Sequence, residues 1–158
     1  MLMNTIEIVE YNSSLKNHFS SINYAWIETY FVVEEADKQM LDHPEEYIIN
    51  QGGVILFARY DGKIAGTCAL INKGDPIFEL AKMGVSDPFQ GKGIGKKLIE
   101  SAIQKSILMG ATIVFLVSNT RLEAAIHLYK KMGFKEVAFD PSTSGYTRCD
   151  IKMELAIS

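Results

Sequence analysis

Residues 85–97, Val-Ser-Asp-Pro-Phe-Gln-Gly-Lys-Gly-Ile-Gly-Lys-Lys, combine residue types and spacing suited to binding an anion. A strand-like run gives way there to a glycine-rich turn, which leads at once into a helical pattern. The first amides of a helix have no internal partner and sit at the positive end of its dipole, so they attract anions. Gly91, Gly93 and Gly95 let the backbone come close to a bulky phosphate, and Lys92, Lys96 and Lys97 add charge of the matching sign. Glycines before a helix also serve as a packing device, so the spacing has to decide. A Walker loop needs four residues between its glycines and then Lys-Ser/Thr, whereas Gly95 is followed by two lysines. The dinucleotide fingerprint needs Gly-x-Gly-x-x-Gly after the first strand of a βαβ unit, whereas these glycines alternate and follow the third strand of a meander. Neither template fits.

The pattern around the turn predicts the elements that hold it. Residues 5–9 alternate as a strand, and residues 15–31 carry Phe19, Ile22, Trp26 and Tyr30 at helical spacing. A short helix is expected over 34–41, then Pro44 at a first-turn position and a further helical turn or two ending at Gly52-Gly53. Residues 54–60 and 64–71 read as strands joined by Asp61-Gly62, which supplies the positive φ angles of a tight hairpin. A third strand covers 77–85 after a turn over 72–76. A helix over 90–109 follows, then an apolar strand over 112–117 expected to be buried on both faces, and a helix over 120–132 stopped by Gly133. Strands over 134–139 and 146–155 end the chain. The expected fold class is α/β, a mixed and mostly antiparallel central sheet flanked by helices, with one right-handed crossover joining the third and fourth strands of the meander-led sheet.

Composition bounds the function classes. The 158 residues suit a single domain over 1–158, and 47% hydrophobic with 22% charged residues is the balance of a folded globular chain. A net charge of -3 and a pI near 5.6 argue against nucleic acid as a partner. Cys68 and Cys149 are far apart and lack a neighbouring base, so buried, reduced thiols are expected in place of a disulfide framework or a nucleophile. His18, His43 and His127 share no spacing, and no metal site is expected. The amino terminus lacks the pattern of a secretory signal and no segment approaches a membrane span, which gives the expectation of a cytoplasmic protein without membrane partners.

Gln90, Gly93 and Gly95 resemble motif A of the GNAT superfamily of N-acetyltransferases, Gln/Arg-x-x-Gly-x-Gly/Ala. The preceding strand, with Glu-Leu-Ala-Lys-Met-Gly-Val at 79–85, sits where that family has one, and Leu-Tyr-Lys-Lys-Met-Gly-Phe at 128–134 resembles its Leu-Tyr-x-x-x-Gly-Phe segment. Asn119 falls where the family places an asparagine about ten residues before that tyrosine. The resemblance covers residues 54–155 in element order.

The resemblance implies acetyl-coenzyme A as co-substrate and a primary amine, of a small molecule or a peptide, as acceptor, joined in a ternary complex by direct attack. It implies that the pyrophosphate rests on the amides of Gln90, Gly91, Lys92, Gly93, Ile94 and Gly95, with Lys96 close by. The pantetheine arm would lie along Met83, Gly84 and Val85, whose amides would polarise the thioester carbonyl, and Asn119 would reach the arm from the side. An alkyl amine titrates near 10 and has to lose a proton before attack, and Glu79, on the same expected pleat face as Met83 and Val85, is the candidate base. Tyr129 would protonate the departing thiolate and also touch the cofactor. Trp26, Tyr30 and Phe31 would wall the acceptor pocket, with Tyr146 and Arg148 nearby. A homodimer is also an expectation from the family.

Each role has a structural rival. Glu79 could pair with Lys82 or an edge arginine, Tyr129 could be core, and Asn119 could cap the next helix. A non-catalytic acyl-CoA-binding sensor is the alternative function, since motif A reports binding and not turnover. The acidic residues Glu28, Glu34, Glu35 and Asp37 would suit a cationic acceptor, or form a solvated helix face.

Overall fold

A computed structural model describes residues 5–157; residues 1–4 and 158 of the expected domain lie outside the described residues. The elements follow the order β1 (Ile6–Glu10), α1 (Lys16–Tyr30), α2 (Glu35–Asp42), α3 (Pro44–Tyr47), β2 (Val54–Tyr60), β3 (Lys63–Asn72), β4 (Ile77–Val85), α4 (Ile94–Leu108), β5 (Ile113–Ser118), α5 (Glu123–Lys131), β6 (Lys135–Val137) and β7 (Ile151–Ala156). The strands form one sheet in the order β1-β2-β3-β4-β5-β7-β6. All neighbours pair antiparallel except β4 and β5, which are parallel and connected through α4. The mixed α/β architecture read from the sequence is therefore present. Among the described residues no helix is long and apolar enough to cross a membrane.

Local chemistry sets the β2–β3 hairpin. Asp61 and Gly62 take φ angles of 50° and 82°, so the turn twists with the strands it joins. Both faces of the hairpin are covered, which explains its apolar runs. From β2, Ile55 and Phe57 pack with Phe19 and Ile27 of α1, while Leu56 and Ala58 face the other way and pack with Leu98 and Ile99 of α4. Complete burial of Phe19 and Phe57 contributes about 2 kcal/mol each.

Two irregularities of β4 shape the site. Its pairing with β5 runs only over Ile77↔Ile113, Phe78↔Val114 and Glu79↔Phe115, although β4 continues to Val85 and β5 to Ser118. The strands part beyond Glu79 and leave a slot. On its other side β4 slips register against β3 between Ala69↔Ala81 and Thr67↔Gly84, and Lys82 adopts φ 53°. This bulge turns the pleat over: Phe78, Leu80, Met83 and Val85 pack toward α4, whereas Glu79, Ala81 and Lys82 line the opposite side. Glu79 thus does not share a face with Met83 and Val85, because the alternation that would place them together is broken at Lys82.

The largest boundary differences from the sequence reading fall at four elements. Helix α4 starts at Ile94, not Gln90, because Gly91 and Gly93 take φ near +80° and cannot continue a right-handed helix. Helix α5 starts at Glu123, since Asn119 and Asp150 hold residues 119–121 in a turn. The strand expected over 134–139 shrinks to Lys135–Val137, and β7 begins at Ile151 with residues 146–150 in a loop. In β5 only Val114 and Leu116 are buried; Val117 on the other face borders a cavity instead of a helix.

Candidate active site

The glycine turn sits at the end of β4. Ser86 N–H donates to Ala65 O (2.8 Å), a short 3-10 turn covers Asp87–Phe89, and Gln90 Nε2 ties back to Val85 O (3.2 Å) and Asp87 Oδ1 (3.3 Å). Gln90 thereby braces the turn with its side chain. Gly91 and Gly93 are exposed, and a Cβ added to either would meet no atom within 4 Å, so their backbone faces open space. Gly95 serves the packing instead, because its missing Cβ lets Leu128 of α5 approach, at 3.3 Å from where a Cβ would be.

The electrostatics of this turn suit an anion. No side chain caps α4 and no acidic residue lies in its first turn, while Lys92, Lys96 and Lys97 are exposed around it. Cations at the positive end of a helix oppose its dipole by about 0.3–1 kcal/mol each, an arrangement that a bound anion reverses. Coenzyme A, with its pyrophosphate, fits this donor set: backbone amides at an uncapped helix start, open glycines and three ammonium groups.

The parted strands lead to a cavity of about 60 Å³ on the α1 side of the sheet. Glu79 and Lys82 of β4 and Asn119 at the end of β5 form one side, and Trp26, Phe31, Tyr146 and Arg148 face them. A more open cleft of about 470 Å³ shares Phe31 and Arg148 with it and adds Tyr30 and Arg121. Trp26 meets Phe31 edge-on with centroids 6.4 Å apart, both lining the inner cavity, while Tyr30 lines the outer cleft.

Glu79 is 8% exposed, and among the described residues it forms no ion pair. Burial pushes its carboxyl above the usual carboxylate range, against the opposing charges of Lys73, Lys82 and Lys152. The structural rival, a bridge to Lys82, is overturned: Lys82 Nζ donates to Asp37 Oδ1 at 2.6 Å instead. Asp37 also accepts both arms of Arg148, NH1 to Oδ2 and NH2 to Oδ1, each at 2.7 Å. Glu34 accepts from the Thr147 amide and lies 3.5 Å from Arg148 NH1, which fastens the 146–150 loop to α2. Burial favours protonation of Asp37, but Arg148 and Lys82 outweigh it and hold the carboxyl at about 2.

Sequence reasoning named Lys82 only as a rival partner of Glu79 and Asp37 only as one of several acids suited to a cationic acceptor, and missed the cluster they form with Arg148. A lone lysine in an apolar strand was the available signal for Lys82; Asp37 had none, because its partners lie 45 and 111 residues away. Asn119 lines the cavity and does not cap α5; it holds the turn that precedes that helix, with Nδ2 donating to Arg148 O (2.6 Å) and Oδ1 accepting from Arg121 N–H (2.7 Å). Tyr129 of α5 is buried beside Phe134 in the main core, outside the cavity lining, and burial raises its hydroxyl pKa. Cys149 borders the cavity as a thiol pushed up to about 11 by burial, and Cys68 is fully buried. His18, His43 and His127 are all exposed.

Comparison with known proteins agrees with this fold. An acetyltransferase of Staphylococcus aureus Mu50 described as a GNAT family member superposes with TM-score 0.87 over 98% of this chain and 100% of its own, at 22% identity. The putative acetyltransferase YncA of Salmonella typhimurium, solved with acetyl-CoA, superposes with TM-score 0.77 over 98% of this chain and 95% of its own, at 20% identity. The uncharacterised N-acetyltransferase YjgM of Escherichia coli K12 is 28% identical over 116 residues, 72% of this chain and 70% of that protein. Of other curated relatives the chain spans only 36% to 58% of the length. Residues 19–134 match the Acetyltransferase (GNAT) family, and the chain belongs to that family.

Proposed function

We propose that the protein transfers the acetyl group of acetyl-CoA to a primary amine, with the coenzyme's pyrophosphate on the turn at 90–96 and its arm in the slot beside β4. The observation that carries this reading is the parting of β4 and β5 immediately after Glu79: the cavity beside the parted strands reaches the buried carboxyl, and the glycine turn follows the end of the same strand. YncA, solved with acetyl-CoA, shares the fold. Bound acetyl-CoA supplies an acetyl group activated as a thioester.

The residues of this chain then divide the work. Glu79 takes a proton from the acceptor ammonium, and its elevated affinity for protons suits a base working near neutral pH. Amide donors of Met83, Gly84 or Val85 face charge developing on the acetyl oxygen. The carbon–nitrogen bond forms as the carbon–sulfur bond breaks, with no acyl group on the enzyme, and the departing thiolate takes a proton from solvent, since Tyr129 lies in the main core outside the cavity lining. Trp26, Phe31, Tyr146 and Arg148 hold the acceptor, and Asn119 fixes the loop carrying Arg148.

The test is thiol release from acetyl-CoA across a panel of primary amines. Amine-dependent release is expected. A rise in melting temperature with acetyl-CoA but no release with any amine would move the assignment to a non-catalytic acyl-CoA sensor.

A further inference from the structure

The charges around the cavity specify its acceptor more closely than the family does. Glu28 and Glu35 are exposed and line neither cavity nor cleft. Asp37 is 0% exposed on its side chain and consumed by Lys82 and Arg148, while Glu34 is held by Thr147 and Arg148. The acidic group that the sequence offered for a cationic acceptor is therefore spent on the protein itself. Lys82 and Arg148, which line the inner cavity, are both paired with Asp37, so what the cavity offers a ligand is their unused N–H donors and not an excess of positive charge.

Lys82 is the least expected of these. Its side chain is 3% exposed, and its ammonium lies 4.5 Å from the centroid of the Tyr146 ring. Of its three N–H donors one is taken by Asp37, and the hydrogen bonds of the described residues give it no second acceptor. A buried ammonium with donors to spare, bordering a cavity, calls for an anionic or carbonyl acceptor from the ligand. The β4 bulge places it there: without the register slip Lys82 would project with Leu80 into the α4 core. On the same stretch Glu79 stands ready for an amino group, and Ala81 between them projects only a methyl into the cavity.

The geometry points to an acceptor that carries a carboxylate near its amine, an amino acid or an amino-acid-like molecule, bound with its carboxylate on Lys82 Nζ and the Arg148 guanidinium and its amine toward Glu79. The inference rests on the transfer reading for the amine but not for the carboxylate, and the two are separable. An N-acetyl amino acid, the product of the proposed reaction, has the carboxylate and no basic amine, so its binding does not depend on turnover.

Calorimetric titration of the CoA-loaded protein with N-acetyl amino acids and with the matching N-acetyl amino amides tests it. The acids are expected to bind about 10- to 100-fold more tightly than the amides, the range of one buried charge-assisted hydrogen bond. Lys82→Met is expected to remove that preference while CoA affinity stays within about twofold. Equal binding of acids and amides to the wild-type protein overturns the inference whatever the variant does. Preference for acids without thiol release from acetyl-CoA in the presence of any free amino acid supports the carboxylate site and rejects transfer to these acceptors instead.

Discussion

Glu79→Gln is expected to lower kcat for amine acetylation by about 100-fold or more, the scale of a lost general base, with KM for acetyl-CoA little changed. The rate of the wild-type protein should climb with pH through the Glu79 pKa, which burial sets above the usual carboxylate range, and the variant should lack that limb. Stability separates this role from a structural one. The folded-state pKa of Glu79 is raised, so its ionised form costs stability at every pH above that value, and Gln removes the cost. Glu79→Gln should therefore melt at or above the wild-type temperature while losing activity. A bridge holding the sheet together would give the reverse, a lower melting temperature.

Asp37→Asn should be the most destabilising of the site substitutions. It leaves Lys82 and Arg148, 3% and 11% exposed on their side chains, without their shared counter-charge. Breaking a buried pair by removing one partner costs about 3–5 kcal/mol, or about 10 °C in a domain of this size. The loss of order should concentrate in the 146–150 loop, which Arg148 joins to α2. The pH dependence has a defined sign. Asp37 is held at about 2 in the fold against about 3.9 in an unfolded chain, so its ionised form stabilises the protein above pH 4. That contribution, about 2 kcal/mol, is lost as pH falls from about 4 toward 2, and the variant should lack the loss. Thermal melts of both proteins between pH 2 and 7 measure the difference.

These two carboxylates mark where the sequence is legible and where it stops. Glu79 stood out as a charge in an apolar strand, and the glycine turn stood out because three glycines and three lysines around a strand end are a local pattern. Asp61-Gly62 fixed its hairpin for the same reason: the φ angles it needs belong to the residues themselves. Asp37 looked like one more acid on a solvated helix because its burial depends on Lys82 and Arg148, distant in the chain. Residues 146–150 read as strand, yet Arg148 is drawn across to α2 and β7 starts after it. The bulge at Lys82 was hidden too, since a lysine at positive φ leaves no composition signal, and it decides which side chains of β4 share a face.

Isothermal titration of coenzyme A into the wild-type protein and into Gly93→Asp is the most direct test of the assignment to the turn. The wild type should bind one equivalent. The variant, which places a carboxylate beside the pyrophosphate at a position of φ +80°, should bind at least about tenfold more weakly. Absence of heat with the wild type, or equal affinity of the two proteins, would contradict the placement of the pyrophosphate on these amides.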